Sequence, residues 1–164
     1  RATPERCSSR DRTDTLTVLS DLVGIELGPT SWLEVSQERI NAFATATDDP
    51  QWIHTDPDRA AEGPFGTTIA HGFLTLSLLS RLAAEKAPAI EGLVMGINYG
   101  ADKLRFVQPV RVGSRIRARQ QYLEATERRP GEWLLKTLVT VEIEHQAKPA
   151  LVAETLRLFI VAQA

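Results

Sequence analysis

One apolar segment, followed by a run of strands, most constrains the fold of this chain. Residues 72–86 read GFLTLSLLSRLAAEK, and the apolar side chains are spread around most of the circumference of a helix. We therefore expect a helix that is buried on nearly every side. The segments that follow have the composition of strands and are separated by turns containing glycine or proline, which predicts an antiparallel meander. These segments are residues 94–106, 114–126, 133–145 and 151–161.

The later strand segments each have one apolar and one polar face. Leu135, Val139 and Ile143 alternate with polar neighbours such as Lys136 and Thr140, as in a strand that is buried on one side. A sheet with one apolar face and a helix that must be buried can satisfy each other if the sheet curves around the helix. The predicted class is therefore α+β, with a curved antiparallel sheet wrapped around a long, mostly apolar central helix.

The first half of the chain predicts short elements. Apolar residues at helical spacing predict a helix over residues 14–23, and residues 32–35 are typical of a short strand. Ser36 can cap the next helix, which should end near residue 47 because Pro50 disfavours helical geometry at the residue before it. The segment TDDPQWIH, residues 47–54, is therefore expected on a loop.

Bulk composition limits the classes of partner. A net charge of -2 with 24 % charged residues is too near neutral to indicate a nucleic-acid or membrane-surface protein. No apolar run approaches the ~20 residues of a membrane span. A basic run from Arg111 to Arg119 alternates with apolar residues, so we interpret it as the solvated face of a strand. We expect a partner that is neither nucleic acid nor membrane.

Cysteine usage and the N-terminal segment complete these limits. Cys7 is the single cysteine and cannot form an internal disulfide, which favours a cytoplasmic location. Residues 1–13 have almost nothing to bury and lack the apolar core of a secretory signal, so we expect a disordered tail or an added remnant there. Residues 14–164 are then expected to form a single domain.

Two features could carry chemistry. Asp49 and His54 are five positions apart, so both side chains could converge on one water molecule as an acid–base pair. Taken alone, the spacing fits an Asx turn and a capping histidine better than a catalytic pair. His71 and Gly72 come at the start of the predicted central helix, where free backbone N–H groups can receive a developing negative oxygen. Together these features suggest a catalytic site with an oxyanion donor.

Several motifs, in order, resemble one family. They are TDDPQWIHTD (residues 47–56), GPFG (63–66), IAHGF (69–73) and INYGADKLRFVQPVRVGS (97–114). They resemble the MaoC-like dehydratase family of (R)-specific enoyl-CoA hydratases, and most of all its single-domain NodN-like branch. The resemblance implies the hot-dog fold, in which a curved antiparallel sheet surrounds a central helix. That agrees with the pattern read from the residues.

The resemblance also implies an activity and site residues. The expected reaction is syn hydration of a trans-2-enoyl thioester to the (3R)-hydroxyacyl thioester, or the reverse dehydration, with Asp49 and His54 holding the catalytic water. Gly72 is the expected oxyanion donor, unless it is needed only for tight packing. His71 and Gln51 are expected to support the substrate. Coenzyme A is part of the substrate, so no separate cofactor is expected. No metal is expected either, because the three histidines are scattered in the sequence and there is no Cys-His cluster.

Basic residues could contact the phosphates of coenzyme A. Lys103 and Arg105 lie within the segment of residues 97–114 that resembles the family, and either could reach phosphates near the pocket mouth. Acyl-CoA and an acyl carrier protein remain equal alternatives as the thioester carrier. The resemblance, and the liability of an uncovered strand edge, also predict a homodimer.

One residue departs from the family pattern. Asp48 stands where the family usually has glycine, and Gln51 with Trp52 stands where Asn-Pro is commoner. Asp48 could turn away to solvent, strain the loop, or enter the site and alter its chemistry. Two rival functions therefore stay open: a hot-dog thioesterase that releases free coenzyme A, and a non-catalytic acyl-thioester-binding protein.

Overall fold

The computed structural model describes residues 19–162, which form a six-stranded antiparallel sheet with helices packed against it. The strands are β1 (Glu26–Leu27), β2 (Leu33–Glu34), β3 (Leu93–Phe106), β4 (Arg115–Arg129), β5 (Glu132–Ile143) and β6 (Leu151–Val161). The sheet order is β1-β4-β5-β6-β3, and β2 also pairs with β4. The predicted α+β class is confirmed. The predicted tail over residues 1–13 lies outside the described residues.

Neighbouring strands alternate as the sequence predicts. In β5, Leu135, Val139 and Val141 are buried. The register places Val141 opposite Ala118 of β4 and Leu151 of β6, so these inward residues share one face of the sheet with their partners. This shared apolar face forms the core with the helices. The polar side of β4 and β5 carries ion pairs instead, since Arg115 contacts Glu144, and Arg117 and Arg119 both contact Glu142. These pairs account for most of the predicted basic run.

The predicted meander is only partly right. Strands β4, β5 and β6 are consecutive neighbours, but β3 pairs with β6 and not with β4. Between β3 and β4 the chain therefore crosses from the β3 edge of the sheet past β6 and β5. Alternating apolar residues predict which face of a strand is buried, but they carry no information on which strand lies beside it. Strand β3 consequently lies at an edge of the sheet.

The first half of the chain forms short elements that position later ones. The sequence predicts a helix over residues 14–23, of which the structure describes residues 19–23. This part forms a 3₁₀ turn at Leu19–Leu22 instead of an α-helix. Helix α1 (Gln37–Thr47) begins as predicted, with the Ser36 side chain accepting a hydrogen bond from the Arg39 amide. Two further short helices follow, α2 (Trp52–Thr55) and α3 (Pro57–Ala61). The segment expected to be a loop thus contains a helical turn.

The central helix is broken and only partly buried. It forms α4 (Gly72–Ser77) and α5 (Leu79–Ala84), joined at Leu78, whose φ of -67° and ψ of -14° lie closer to a 3₁₀ turn than to an α-helix. Leu74, Leu79 and Leu82 are buried in the core, but Phe73 is 65 % exposed. The prediction of burial on nearly every side is therefore wrong for this chain alone. Among residues 19–162, no helix is long and apolar enough to cross a membrane.

Candidate active site

The C-terminus of helix α1 positions Asp49. Helix α1 ends at Asp48, whose φ of 53° and ψ of 36° place it in the left-handed region. This conformation normally favours glycine, so the aspartate is held at some cost in strain. The Asp48 side chain borders a separate cleft with Asn41 and Thr45. Of the three outcomes left open for Asp48, the structure shows strain in the backbone and a side chain that does not join the site.

Helix α2 fixes the His54 imidazole. His54 is only 7 % exposed, and its Nδ1 lies 2.6 Å from the backbone oxygen of Ile69. Because a carbonyl oxygen only accepts, Nδ1 carries the proton, and the opposite nitrogen, Nε2, is left as a base. Burial lowers the His54 pKa below its ordinary value of 6.5, with a further contribution from nearby His71, and the Ile69 hydrogen bond and Asp49 partly oppose this. The neutral, basic form is therefore favoured at neutral pH.

His71 connects the two predicted catalytic residues. Its ring stacks on His54 with centroids 3.7 Å apart, and its Nε2 donates to the backbone oxygen of Asp49 at 3.0 Å. It also packs against Phe43 of α1. His71 is 3 % exposed. The sequence predicted a supporting histidine at the helix start, but the separation of 17 positions from His54 gave no indication that the rings would stack.

Asp49, His54 and His71 form one cluster. One side-chain ligand atom of each lies within 4.8 Å of the others, and the Asp49 carboxylate, 3.8 Å from His71 Nε2, is 53 % exposed. Two of the three histidines that looked scattered in the sequence are therefore adjacent. His71 Nε2 is occupied as a donor to the Asp49 backbone, and its buried Nδ1 has no hydrogen-bond partner among residues 19–162. The arrangement suits a water molecule held between the Asp49 carboxylate and His54 Nε2.

Gly72 borders the same cleft as His54. The cleft has a volume of about 280 Å³ and is also lined by Ile69, Phe106 and Val107. As the first residue of α4, Gly72 has a backbone N–H without a partner four residues earlier in the helix. A Cβ at this position would lie 3.1 Å from three ring carbons of Phe106. Both predicted roles of Gly72, backbone donor and close-packing glycine, are compatible with this geometry.

The remaining predicted contacts lie farther from the cluster. Gln51 precedes α2 with an exposed side chain, while its backbone oxygen accepts from the His54 and Thr55 amides. Lys103 is 77 % exposed and forms a 2.7 Å ion pair with Glu154. Arg105 is exposed and adjoins Phe106, which lines the cleft. The substrate roles of Gln51, Lys103 and Arg105 stay predictions.

A larger cavity of about 420 Å³ lies between the central helix and the sheet. It is lined by Leu76, Leu79 and Ala83 from the helices and by side chains of β3, β4, β5 and β6. Gly72, Leu76, Leu79 and Ala83 follow one another at intervals of three or four residues, so they lie on one stripe of the helical segment. The cavity and the cleft at Gly72 share no lining residue, and both border this stripe. The sequence predicted a pocket lined by the central helix but not its size or its lining.

Comparison with known proteins adds several related sequences. A curated 3-hydroxyacyl-thioester dehydratase Z of Mycobacterium tuberculosis is 48 % identical over 138 residues, which cover 84 % of this chain and 91 % of that protein. Nodulation protein N of Rhizobium meliloti is 50 % identical over 139 residues, covering 84 % of this chain and 86 % of its own length. The motifs that suggested the NodN-like branch therefore occur in a chain with strong overall similarity to it.

The fold and the family agree with these relatives. A solved structure of an (R)-hydratase from A. caviae involved in PHA biosynthesis superposes with a TM-score of 0.67 and 25 % identity, over 82 % of this chain and 94 % of that one. The hot-dog fold predicted from the resemblance is confirmed. The MaoC-like domain family matches residues 20–144, which is most of the chain. The stacked histidine cluster thus lies in a protein that belongs to the MaoC-like domain family.

Proposed function

We propose that this protein is an (R)-specific enoyl-thioester hydratase, which also catalyses the reverse 3-hydroxyacyl-thioester dehydration. The observation that carries the proposal is the His54 imidazole. Burial lowers its pKa and so favours the neutral form, its Nδ1 donates to Ile69 so that Nε2 is left as the base, and one of its ring nitrogens lies within 4.8 Å of an Asp49 carboxylate oxygen. A base and an acid–base partner on one water molecule are what hydration of a carbon–carbon double bond requires.

The reaction can be written with these groups. The water oxygen forms a bond to the β carbon of the enoyl thioester while His54 Nε2 takes one of the water protons. Negative charge moves to the thioester oxygen, where the Gly72 N–H stabilises it. A proton then reaches the α carbon from the Asp49–His54 pair, which gives the hydroxyacyl product. Because one cluster both activates the water and supplies the proton, both additions occur on the same face of the double bond, which is syn hydration.

His71 acts as a positioning residue in this scheme. It donates to the Asp49 backbone and stacks on His54, so it fixes the distance between the acid and the base. Because His71 donates to the backbone oxygen of Asp49, the Asp49 carboxylate stays free to bind water. Effective catalysis depends strongly on such placement, since a displacement of about 1 Å can cost a factor of ~100 in rate.

Arg105 is the better supported of the two predicted phosphate contacts. Lys103 is paired with Glu154, whereas none of the described ion pairs involves Arg105. Arg105 is next to Phe106, which lines the cleft that contains Gly72, and alternation along β3 directs the two side chains to opposite faces of the strand. A phosphate of coenzyme A, or of the phosphopantetheine arm of a carrier protein, would supply the missing negative charge.

One assay tests the activity against its rivals. The protein is incubated with a short trans-2-enoyl-CoA while loss of the enoyl absorbance and release of free thiol are followed in parallel. Absorbance loss without thiol is the expected result, and chiral analysis should give the (3R) product. Thiol release would instead support the thioesterase, and no reaction over several chain lengths would support the non-catalytic binding protein.

We also propose that the protein functions as a homodimer joined through the β3 edge. Strand β3 pairs only with β6 within the described chain, and many of its apolar residues, such as Val94, Ile97 and Tyr99, are exposed. Exposed Phe73 lies against Phe106 near the same region. An unpaired edge with an apolar surface is a liability for a monomer and is satisfied by a second copy across a two-fold axis.

Sedimentation of matched variants tests the dimer. Val94→Lys places a charge on the β3 edge and is expected to shift the protein from dimer to monomer. Val23→Lys changes a similarly exposed valine away from β3 and should leave the dimer intact. A wild-type protein that sediments as a monomer at all concentrations would contradict the proposal.

We also propose a cytoplasmic location, which is supported by the single cysteine.

A further inference from the structure

The cavity between the central helix and the sheet has an unexpectedly polar wall. Gln120 and Tyr122 of β4 and Arg157 of β6 line it, although these positions lie on the apolar face of the sheet. Gln120 and Tyr122 are 8 % and 7 % exposed. Alternation along the strands would normally place aliphatic residues there, as it does at neighbouring Leu135, which is paired with Arg157. The polar residues therefore need a physical reason.

These groups are donors without acceptors. The Gln120 amide nitrogen and the Arg157 Nε are both buried and have no hydrogen-bond partner within residues 19–162. Within residues 19–162, the Tyr122 hydroxyl also forms no side-chain hydrogen bond. Burial raises the Tyr122 pKa, and the nearby positive charge of Arg157 partly offsets this, so the hydroxyl stays protonated as a donor. A buried donor without a partner costs free energy unless a ligand supplies the acceptor.

The cavity also has an unbalanced charge. None of its lining residues is an aspartate or a glutamate, and no described carboxylate forms an ion pair with Arg157. The guanidinium lies over the Phe159 ring with its carbon 5.2 Å from the centroid. A Cβ at Gly96 would come within 3.2 Å of an Arg157 terminal nitrogen, so the glycine leaves room for this side chain. A planar, permanently charged group held in this way suits a carboxylate.

The position of the donors relates them to the reaction. The cavity follows the helix stripe from Leu76 to Ala83, which is about 6 to 16 Å beyond Gly72 at 1.5 Å per residue. An acyl chain whose thioester oxygen is held at Gly72 could extend along this stripe with its far end among Gln120, Tyr122 and Arg157. Aliphatic carbons would contact the leucines, and the chain terminus would meet the donors.

We propose that the cavity binds an acyl chain ending in a carboxylate, so that the protein prefers ω-carboxylated enoyl thioesters over methyl-ended ones. This inference rests on the proposed hydratase function and adds the class of acyl group. Arg157 would form the charged contact with the terminal carboxylate, while Gln120 and Tyr122 would donate to its oxygens. The leucines of the helix would select for an unbranched linker between the two ends.

Paired substrates test the preference. Trans-2-enoyl-CoAs of five to ten carbons are compared in pairs that end in a methyl group or in a carboxylate, with ω-hydroxy analogues as a third series. For at least one length, kcat/KM is expected to be tenfold or more higher with the carboxylate than with either alternative. Preference for the methyl-ended substrate at every length would overturn the proposal. Preference for the ω-hydroxy series would also overturn it, since the site would then recognise a neutral oxygen.

Variants identify the residues responsible. Arg157→Gln is expected to reduce kcat/KM for the carboxylated substrate by about tenfold to a hundredfold, the range for a hydrogen bond to a charged group. It should change the methyl-ended substrate by less than about twofold. Gln120→Met should give a smaller loss in the same direction. The control, Arg115→Gln on the solvated side of β4, should change neither substrate. Equal losses for both substrates in Arg157→Gln and Gln120→Met would show a structural role and refute the proposal.

A binding measurement separates this inference from the proposed reaction. Asp49→Asn protein is titrated calorimetrically with saturated acyl-CoAs that end in a methyl group or in a carboxylate, so no chemistry is needed. Tighter binding of the carboxylated ligand, lost in the Arg157→Gln background, would support the cavity assignment even if the wild-type protein failed to hydrate any enoyl-CoA. Equal affinity for the two ligands would refute the cavity assignment even if hydration were confirmed.

Discussion

Substitution of Gly72 by alanine tests how closely the substrate must approach the start of helix α4. The added Cβ would lie 3.1 Å from three carbons of the Phe106 ring, whereas carbon atoms pack best at about 3.5–4.0 Å. The ring must therefore move by roughly half an ångström. Phe106 is 44 % exposed, so it can move without disturbing the core.

The expected effect on stability is small. Alanine favours a helix over glycine by up to about 1 kcal/mol, and this gain opposes the cost of moving the Phe106 ring. Gly72 does not have a positive φ, so its backbone accepts a Cβ. We expect the free energy of unfolding of Gly72→Ala, measured with urea, to differ from wild type by less than about 1 kcal/mol.

The expected effect on catalysis is large. The methyl group would enter the cleft that Gly72 shares with His54, and would displace the thioester oxygen from the backbone N–H. We expect kcat/KM for a trans-2-enoyl-CoA to fall by about tenfold to a hundredfold. The loss of enoyl absorbance measures this rate directly.

A second variant distinguishes the two roles of Gly72. In Gly72→Ala with Phe106→Leu, the ring that the Cβ would contact is removed, but the methyl group still blocks the donor. Continued loss of activity in the double variant supports the donor role. Full activity in Gly72→Ala, or its full recovery in the double variant, would refute it and leave Gly72 as a packing glycine.

Three further predictions concern the residues around the cluster. Asp48→Gly relieves the strain of the left-handed backbone at the end of α1. It should raise the free energy of unfolding, measured by urea titration, by about 0.5–1 kcal/mol and leave the activity unchanged. A loss of activity would show that this carboxylate contributes to the site. The value of kcat/KM should be constant from neutral pH down to 6.5 and should fall only below pH 6.5, because burial lowers the His54 pKa and the neutral base is the active form. The free energy of unfolding should also fall as the pH is lowered, since the unfolded chain binds that proton more readily. An inflection in kcat/KM above pH 6.5 would contradict the assignment. His71→Leu should lower kcat by about tenfold or more with little change in KM, and His71→Gln, which keeps an N–H donor for the Asp49 backbone, should recover part of the loss; equal kcat in both variants would argue against positioning through this hydrogen bond.

The sequence predicted the parts of the fold that depend on local pattern. Strand-like composition between turn residues located all four long strands, and alternating apolar residues marked the last three. The bounds of β6 matched the prediction of residues 151–161. The Ser36 cap was also predicted, because capping depends on residues within one helical turn. Sheet order was not predictable in this way, since the pairing of β3 with β6 joins residues that are 45 to 68 positions apart in the chain, from Phe106 with Leu151 to Leu93 with Val161.

The central helix shows how burial can be misjudged from composition. Its apolar residues cover most of the circumference, yet Phe73 is exposed in the single chain. If the proposed dimer forms, a second copy would account for apolar residues that the chain's own sheet does not cover. Composition indicates that a helix face is apolar and should be buried. It does not indicate whether the surface that buries this face belongs to the same chain or to a second copy.

The sequence suggested members of the candidate site but not their arrangement. Motif resemblance predicts that Asp49, His54 and Gly72 are site residues, and the structure brings all three to one region. The stacking of His71 on His54 was not predicted, because it depends on how α2 and α4 pack. The buried donors Gln120 and Arg157 were also missed, since most of the inward residues on the same strands are apolar. Only the three-dimensional cavity shows that they share one wall.

The most direct test of the central claim is hydration by matched variants of the acid–base pair. Asp49→Asn and His54→Gln keep the size and hydrogen-bonding capacity of each side chain but remove its acid–base function. With a trans-2-enoyl-CoA, each should lose at least about a thousandfold in hydration rate, while circular dichroism and urea unfolding remain close to wild type. Hydration at near wild-type rate in either folded variant would contradict the assignment of Asp49 and His54 as the residues that hold and activate the water.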